Sequence, residues 1–206
     1  MITQVEQAPR TAFRYSYDDG LVEIGTGLLF LTLAALFAVE GLAPAGSLPT
    51  GFSAFGLPVI VIGGMIVLGL ALRAIKERLT FPRTGYVAYP RPAPARRILA
   101  GVIGAGVSLV LVLLLAARPS WQAALAALQG AALAVVWLAF SLRTGLVRMA
   151  VLGFVALGAG LVATFAGLES SLGSALTFAV AGASALLSGA LVLAHYLRTT
   201  APSVEA

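Results

Sequence analysis

Apolar residues in this chain come in long blocks, with none of the strict alternation of a half-buried strand. Six runs of membrane-crossing length stand at 21–43, 54–75, 98–116, 121–142, 146–168 and 172–197. A helix needs about 20 apolar residues to cross the hydrocarbon core of a bilayer, so the pattern predicts six transmembrane helices. The polar breaks between them set the connectivity. Residues 117–120, 143–145 and 169–171 are tight turns, so the last four runs read as an up-down series of antiparallel neighbours. Residues 44–53 join the first two runs, and 76–97 form the one long connection. The expected fold class is therefore all-α integral membrane, an N-terminal helical hairpin plus an up-down four-helix bundle. One membrane domain fills 1–206, with an N-terminal tail at 1–20, a basic loop at 76–97 and a C-terminal tail at 198–206.

Composition supports this reading. The chain is 60% hydrophobic and 10% charged, against about 25% charged in a typical soluble domain. Too little charge remains to coat a water-soluble surface of this size, and lipid is the natural alternative. The net charge of +5 is explained by where the cations fall. With the N-terminus inside, the inner segments hold twelve: Arg10, Arg14, Arg73, Lys76, Arg78, Arg83, Arg91, Arg96, Arg97, Arg143, Arg148 and Arg198. The outer segments hold Arg118 alone. Cytoplasmic loops carry the lysine and arginine excess, so both termini are expected in the cytoplasm and the protein in a cell's inner membrane. The expected partners are the bilayer and its anionic inner-leaflet lipids, with a protein partner or a homo-oligomer open and nucleic acid excluded. Tyr15, Tyr17, Trp121 and Tyr196 sit where an interfacial aromatic belt would put them. Ala43-Pro44-Ala45 has the small-x-small form of a leader cleavage site. The apolar run before it is too long for a leader, whose apolar core spans roughly 7–15 residues, so no cleavage is expected.

Chemistry is sparse. Cysteine is absent and there is one histidine, which excludes thiolate metal sites, iron–sulfur clusters and two-histidine motifs. No catalytic residue, metal site or cofactor is expected. The middle of every apolar run lacks ionisable residues; Glu23, Glu40 and His195 stand near helix ends. Glu23 has two main readings: a first-turn carboxylate stabilised by the helix dipole, or the partner of a cation at its own depth, a substrate-binding role being the remainder. Arg148 is the best candidate partner, because Gly20-Leu21-Val22 precedes Glu23 as Gly145-Leu146-Val147 precedes Arg148. His195 reads as a helix-end residue at headgroup level. Gly63-Gly64, five residues after Pro58, reads as close packing around a mild kink, with a broken helix as the alternative. Small residues recur four apart in three series: Gly173, Thr177, Ala181, Ala185 and Gly189; Ala126, Gly130 and Ala134; and Ala100, Gly104 and Ser108. Such ridges let helix backbones approach closely.

The long loop is the most specific stretch. Leu79-Thr80-Phe81 and Tyr86-Val87-Ala88 are β-prone, and Pro82-Arg83-Thr84-Gly85 between them suits a turn. A small cytosolic β-hairpin is therefore expected at 79–88, followed by an extended tether through Pro90, Pro92 and Pro94. Residues Arg78 to Val87 resemble an Arg-Leu-Thr-Tyr-Pro-Arg-Thr-Gly-Tyr-Val signature of uncharacterised multi-pass bacterial membrane proteins, with Phe81 in place of the tyrosine. The stretch from Asp19 to Ile24 resembles them more loosely. The resemblance implies a bacterial membrane protein and carries no mechanism. The expected function is a non-enzymatic accessory or scaffold component. It would dock a partner or anionic lipid through Arg78, Phe81, Pro82, Arg83, Gly85, Tyr86 and Tyr89. A small transporter or channel subunit for a neutral or apolar substrate is the alternative.

Overall fold

In the computed structural model the chain is described over residues 17–44, 46–47, 52–79 and 119–200. These residues form five long helices: α1 (Leu21–Leu42), α2 (Phe52–Leu79), α3 (Leu125–Thr144), α4 (Val147–Phe165) and α5 (Ser170–Thr199), with a 3-10 turn at Pro119–Ala124 leading into α3. Each of the five is long and apolar enough to cross a membrane, consistent with an integral membrane protein. Large apolar side chains face outward on every one, among them Ile62, Met65, Val135, Phe154 and Leu191. In water such a surface would be unstable, whereas lipid solvates it.

The helices begin and end where local chemistry dictates. The Asp19 carboxylate accepts the Leu21 N–H at 3.2 Å, satisfying one of the free amides at the start of α1. The end of α1 falls at Ala43, extended at ψ 140° because Pro44 follows. Between α3 and α4 the chain turns in two residues. Gly145 takes φ 71° and donates to the Ser141 carbonyl at 2.7 Å. The Thr144 hydroxyl accepts from the Leu146 N–H, and the Ser141 hydroxyl donates to the Leu146 carbonyl.

The expected fold class needs correction. The described residues contain five membrane-length helices where six spans were expected, and they contain no strand. The all-α, membrane-type architecture stands. The run at 98–116 lies outside the described residues, as does the expected hairpin beyond Leu79. Leu79 itself, expected to open a strand, is the last residue of α2. The physical reason is the stretch Leu72-Arg73-Ala74-Ile75-Lys76-Glu77-Arg78-Leu79, composed almost wholly of strong helix formers. Lys76 and Arg78 in its last turn also favour the negative end of the helix dipole. The helix runs unbroken through Gly63-Gly64.

The arrangement of an N-terminal hairpin set beside a separate bundle is also corrected. The most extensive contact of α1 is with α5, and α2 touches α1 more thinly. Helices α3 and α4 pair closely, α4 packs on α5, and α3 reaches α5 as well. The order across the molecule is α2, α1, α5, α4, α3. Glycine decides the pairing of α1 with α5. A methyl group on Gly27 would lie 2.7 Å from the Leu186 nitrogen, and one on Gly182 would lie 2.9 Å from the Gly27 oxygen. Gly20 and Gly189 repeat the arrangement one heptad away, with 2.6 Å left between a Gly189 methyl and the Gly20 oxygen. The rings of Phe30 and Phe37 then pack on Phe178 from α5, edge-on and stacked. The α3–α4 pair closes in the same way, through Gly130 against the Ala156 backbone. The small-residue ridges on α3 and α5 are thus buried inside the chain; the Ala100-Gly104-Ser108 ridge lies outside the described residues.

Candidate functional site at the basic end

The turn before α1, the end of α2, the start of α4 and the end of α5 meet at one end of the molecule. Gly20, in the left-handed region at φ 70°, turns the chain into α1 and leaves Asp19 and Glu23 facing inward. Asp19 is 1% exposed, and its second carboxylate oxygen pairs with the Lys76 ammonium at 3.0 Å. One side chain therefore caps α1 and ties it to α2.

Glu23 lies one turn into α1 and is fully buried. Its Oε1 accepts from Arg148 Nε at 2.8 Å. Arg148 Nη2 also donates to the Tyr17 carbonyl, so a single guanidinium from α4 holds both α1 and the turn that precedes it. The Tyr17 ring packs edge-on against Phe140 at 5.7 Å. Burial, and after it the nearby Glu23 carboxylate, push the Tyr17 phenol above its ordinary range. The other Glu23 oxygen, Oε2, is buried without a hydrogen-bond partner. Pairing compensates part of the cost of burying this charge, and removing either member leaves the other uncompensated. Glu23 and Arg148 occupy matching places in the backbone. Each stands three residues after a glycine of left-handed conformation, Gly20 at φ 70° and Gly145 at φ 71°, and each follows a buried leucine.

Beside this pair lies a cleft of about 350 Å³ lined by Asp18, Arg148, Leu191, Val192, His195, Tyr196 and Thr199. The Tyr196 hydroxyl is buried and has no hydrogen-bond partner. Leu191 is exposed and continues into the outward apolar face of α5. The opposite end of the bundle is poorer in charge: Glu40 accepts from the Ser171 hydroxyl at 3.4 Å.

The structure brings Glu23 and Arg148 together and sets His195 on the cleft that Arg148 also lines. Arg78 is exposed in the last turn of α2. Phe81, Pro82, Arg83, Gly85, Tyr86 and Tyr89 lie outside the described residues. Sequence reasoning missed the Asp19–Lys76 bridge and the grip of Arg148 on Tyr17. The signal for the first was present: an acid just before α1 and the base in the last turn of α2 stand at the same end of adjacent helices. Among the described residues no group of three histidine or carboxylate side chains is placed to hold a metal ion. No protein-family model, curated protein or solved structure matches the chain.

Proposed function

We propose that this protein is a non-enzymatic accessory or scaffold component of a bacterial inner membrane, with both termini in the cytoplasm, that docks an acidic surface through its basic end. The observation that carries this reading is the segregation of charge. Arg73, Lys76, Arg78, Arg143, Arg148 and Arg198, all the lysines and arginines among the described residues, belong to the end that holds the start of α1. The loop beyond Leu79 adds four arginines to the same side of the sequence: Arg83, Arg91, Arg96 and Arg97. Cations so placed attract anionic headgroups or acidic partners, each worth about 1 kcal/mol near an anionic leaflet. The backbone-on-backbone seams of α1–α5 and α3–α4 also favour a packed scaffold over a conduit. A carrier of a neutral or apolar substrate is the second reading, favoured by the buried Glu23–Arg148 pair, since charges within membrane segments often mark transport paths.

The test is purification of the full chain from its native membrane in mild detergent, with mass spectrometry of what remains bound. The combined Arg83→Ala and Arg91→Ala variant should insert normally, because many cations remain to set topology. It should lose the co-purifying partner or anionic lipid. Full retention of everything the native chain carries would overturn the docking reading.

A further inference from the structure

Asp19 and Glu23 are both buried, yet their carboxylates are met differently. Asp19 gives one oxygen to the Leu21 N–H and the other to the Lys76 ammonium. Glu23, whose side chain is 0% exposed, has Oε1 on Arg148 Nε, while its Oε2 has no hydrogen-bond partner. We propose that Oε2 is a proton-binding site, and that a proton bound there unlatches the turn at 17–19 from α4. The inference goes beyond docking through the loop and does not depend on it.

Burial sets the cost. A carboxylate held away from water by one cation is expensive, and an unanswered oxygen adds to the expense. The Asp19 carboxylate lies close enough to act on the same charge. A proton on Oε2 removes that charge and leaves Oε1 able to accept. One proton moves from water to Oε2, one O–H bond forms, and Arg148 keeps its charge. The other charged and titratable groups at this end are Tyr17, Asp18 and Asp19 from the entry turn, Lys76 from α2, and His195 and Tyr196 across the cleft on α5. Arg143 is exposed at the end of α3.

Arg148 is the part that moves. Its Nε and Nη2 are committed to Glu23 and to the Tyr17 carbonyl. Its side chain is 25% exposed and lines the cleft of about 350 Å³, so water is within reach once the attraction to Glu23 is gone. The Tyr17 carbonyl is a neutral acceptor and holds a guanidinium less strongly than a carboxylate does. What the guanidinium releases is the turn, because α1 stays clamped to α5 where Gly20 meets Gly189 and Gly27 meets Gly182. The Tyr17 ring then leaves the cluster of Trp137, Leu146 and Met149 against which it packs.

That cluster supplies the reporter. The chain has two tryptophans, so Trp121→Phe isolates Trp137. The full chain in this background is titrated in detergent over about pH 4–9, a range that contains most glutamates measured in proteins. Acid should shift the Trp137 emission to longer wavelength with the helical circular dichroism unchanged. One component of the infrared carbonyl band of protonated carboxyls should rise with the same midpoint. In Glu23→Gln that component should be missing, and the emission should sit at its acid position at every pH. His195→Gln, which removes the single histidine, should titrate as its parent does. Glu23→Asp keeps a carboxyl on a shorter arm and should titrate with a displaced midpoint, which decides the matter if Glu23→Gln does not fold. The proposal is overturned by an emission that ignores pH, by a shift that comes with loss of helix, or by one that survives Glu23→Gln. It is equally overturned if Glu23→Gln stays at the alkaline position, if Glu23→Asp keeps the parent midpoint, or if His195→Gln abolishes the shift.

Discussion

Helices α1 and α2 are similar as strings of letters: both are long, apolar and dotted with glycine. In the fold they differ sharply. Eight residues of α1 are buried, whereas none of α2 from 58 to 76 is. Glycine placement accounts for the contrast. Gly20, just before α1, and Gly27 face the backbone of α5 so closely that a methyl group would collide with it, while Gly56 and Gly64 of α2 meet only leucine side chains of α1 and Gly63 and Gly69 have nothing within 4 Å. Apolar character takes a helix into a membrane but does not choose its neighbours, because lipid competes equally for every leucine. The choice falls to shape and to the few charges at the ends. On α1 the charge is a buried glutamate; at the end of α2 Lys76 bridges to Asp19.

The largest break in this contrast is expected at the buried pair. Arg148→Met leaves Glu23 uncompensated and should cost about 3–5 kcal/mol. Adding Glu23→Gln should restore part of that loss, with a coupling of roughly 0.5–3 kcal/mol for groups in contact. Thermal unfolding in detergent measures both, and strict additivity would remove the pair from the account. Next comes Gly27→Leu, which forces α1 off α5; overpacking of this kind costs about 1–3 kcal/mol. Gly63→Ala on α2 is the matched control. It should be neutral or stabilising by up to about 1 kcal/mol, the helix-propensity gain over glycine.

Lys76→Met should release the end of α2 at a cost of about 1 kcal/mol, the upper end for partly exposed bridges. Faster proteolysis near Leu79, with the α1–α5 melting unchanged, would show that α2 is hung from the bundle by this contact. The smallest effect is at Tyr17. Its phenol is raised in the folded state, so its contribution to stability is present below the ordinary tyrosine range and is lost as pH rises through the raised value. The ultraviolet phenolate difference between the native chain and Tyr17→Phe should therefore appear at higher pH in the folded protein than in denaturant.

Much of this was legible in the residues, and the limits have physical causes. Five of the expected spans correspond to helices because hydropathy over twenty residues reports directly on length and lipid contact. Matched depth and a shared Gly-Leu-Val drew attention to Glu23 and Arg148, which the structure sets 2.8 Å apart. The ridges on α3 and α5 could be seen as ridges, but not what they would meet. Gly182 and Gly189 find Gly27 and Gly20 across more than 150 residues, and no local pattern encodes that pairing. The short connection between the first two runs does make α1 and α2 neighbours, yet a loop only limits distance and does not make that pair the main contact of α1. Leu79 stands beside β-prone neighbours, yet the helix-forming run that precedes it decides its state. The positions of Asp19 and Lys76 at the same end of neighbouring helices hint at their bridge, and burial of Asp19 is what makes them a pair.

The Glu23–Arg148 contact joins residues 125 positions apart, which has a consequence for how the molecule is made. The first helix leaves the ribosome long before the arginine that neutralises it. At 5–20 residues per second the interval is roughly 6–25 s. Throughout that time α1 carries an unmatched carboxylate and an open glycine face awaiting a helix not yet translated. Of the five helices, α1 is thus made first and locked last. Its carboxylate and glycine face need shelter, from the insertion machinery or the interfacial water, until α4 and α5 arrive.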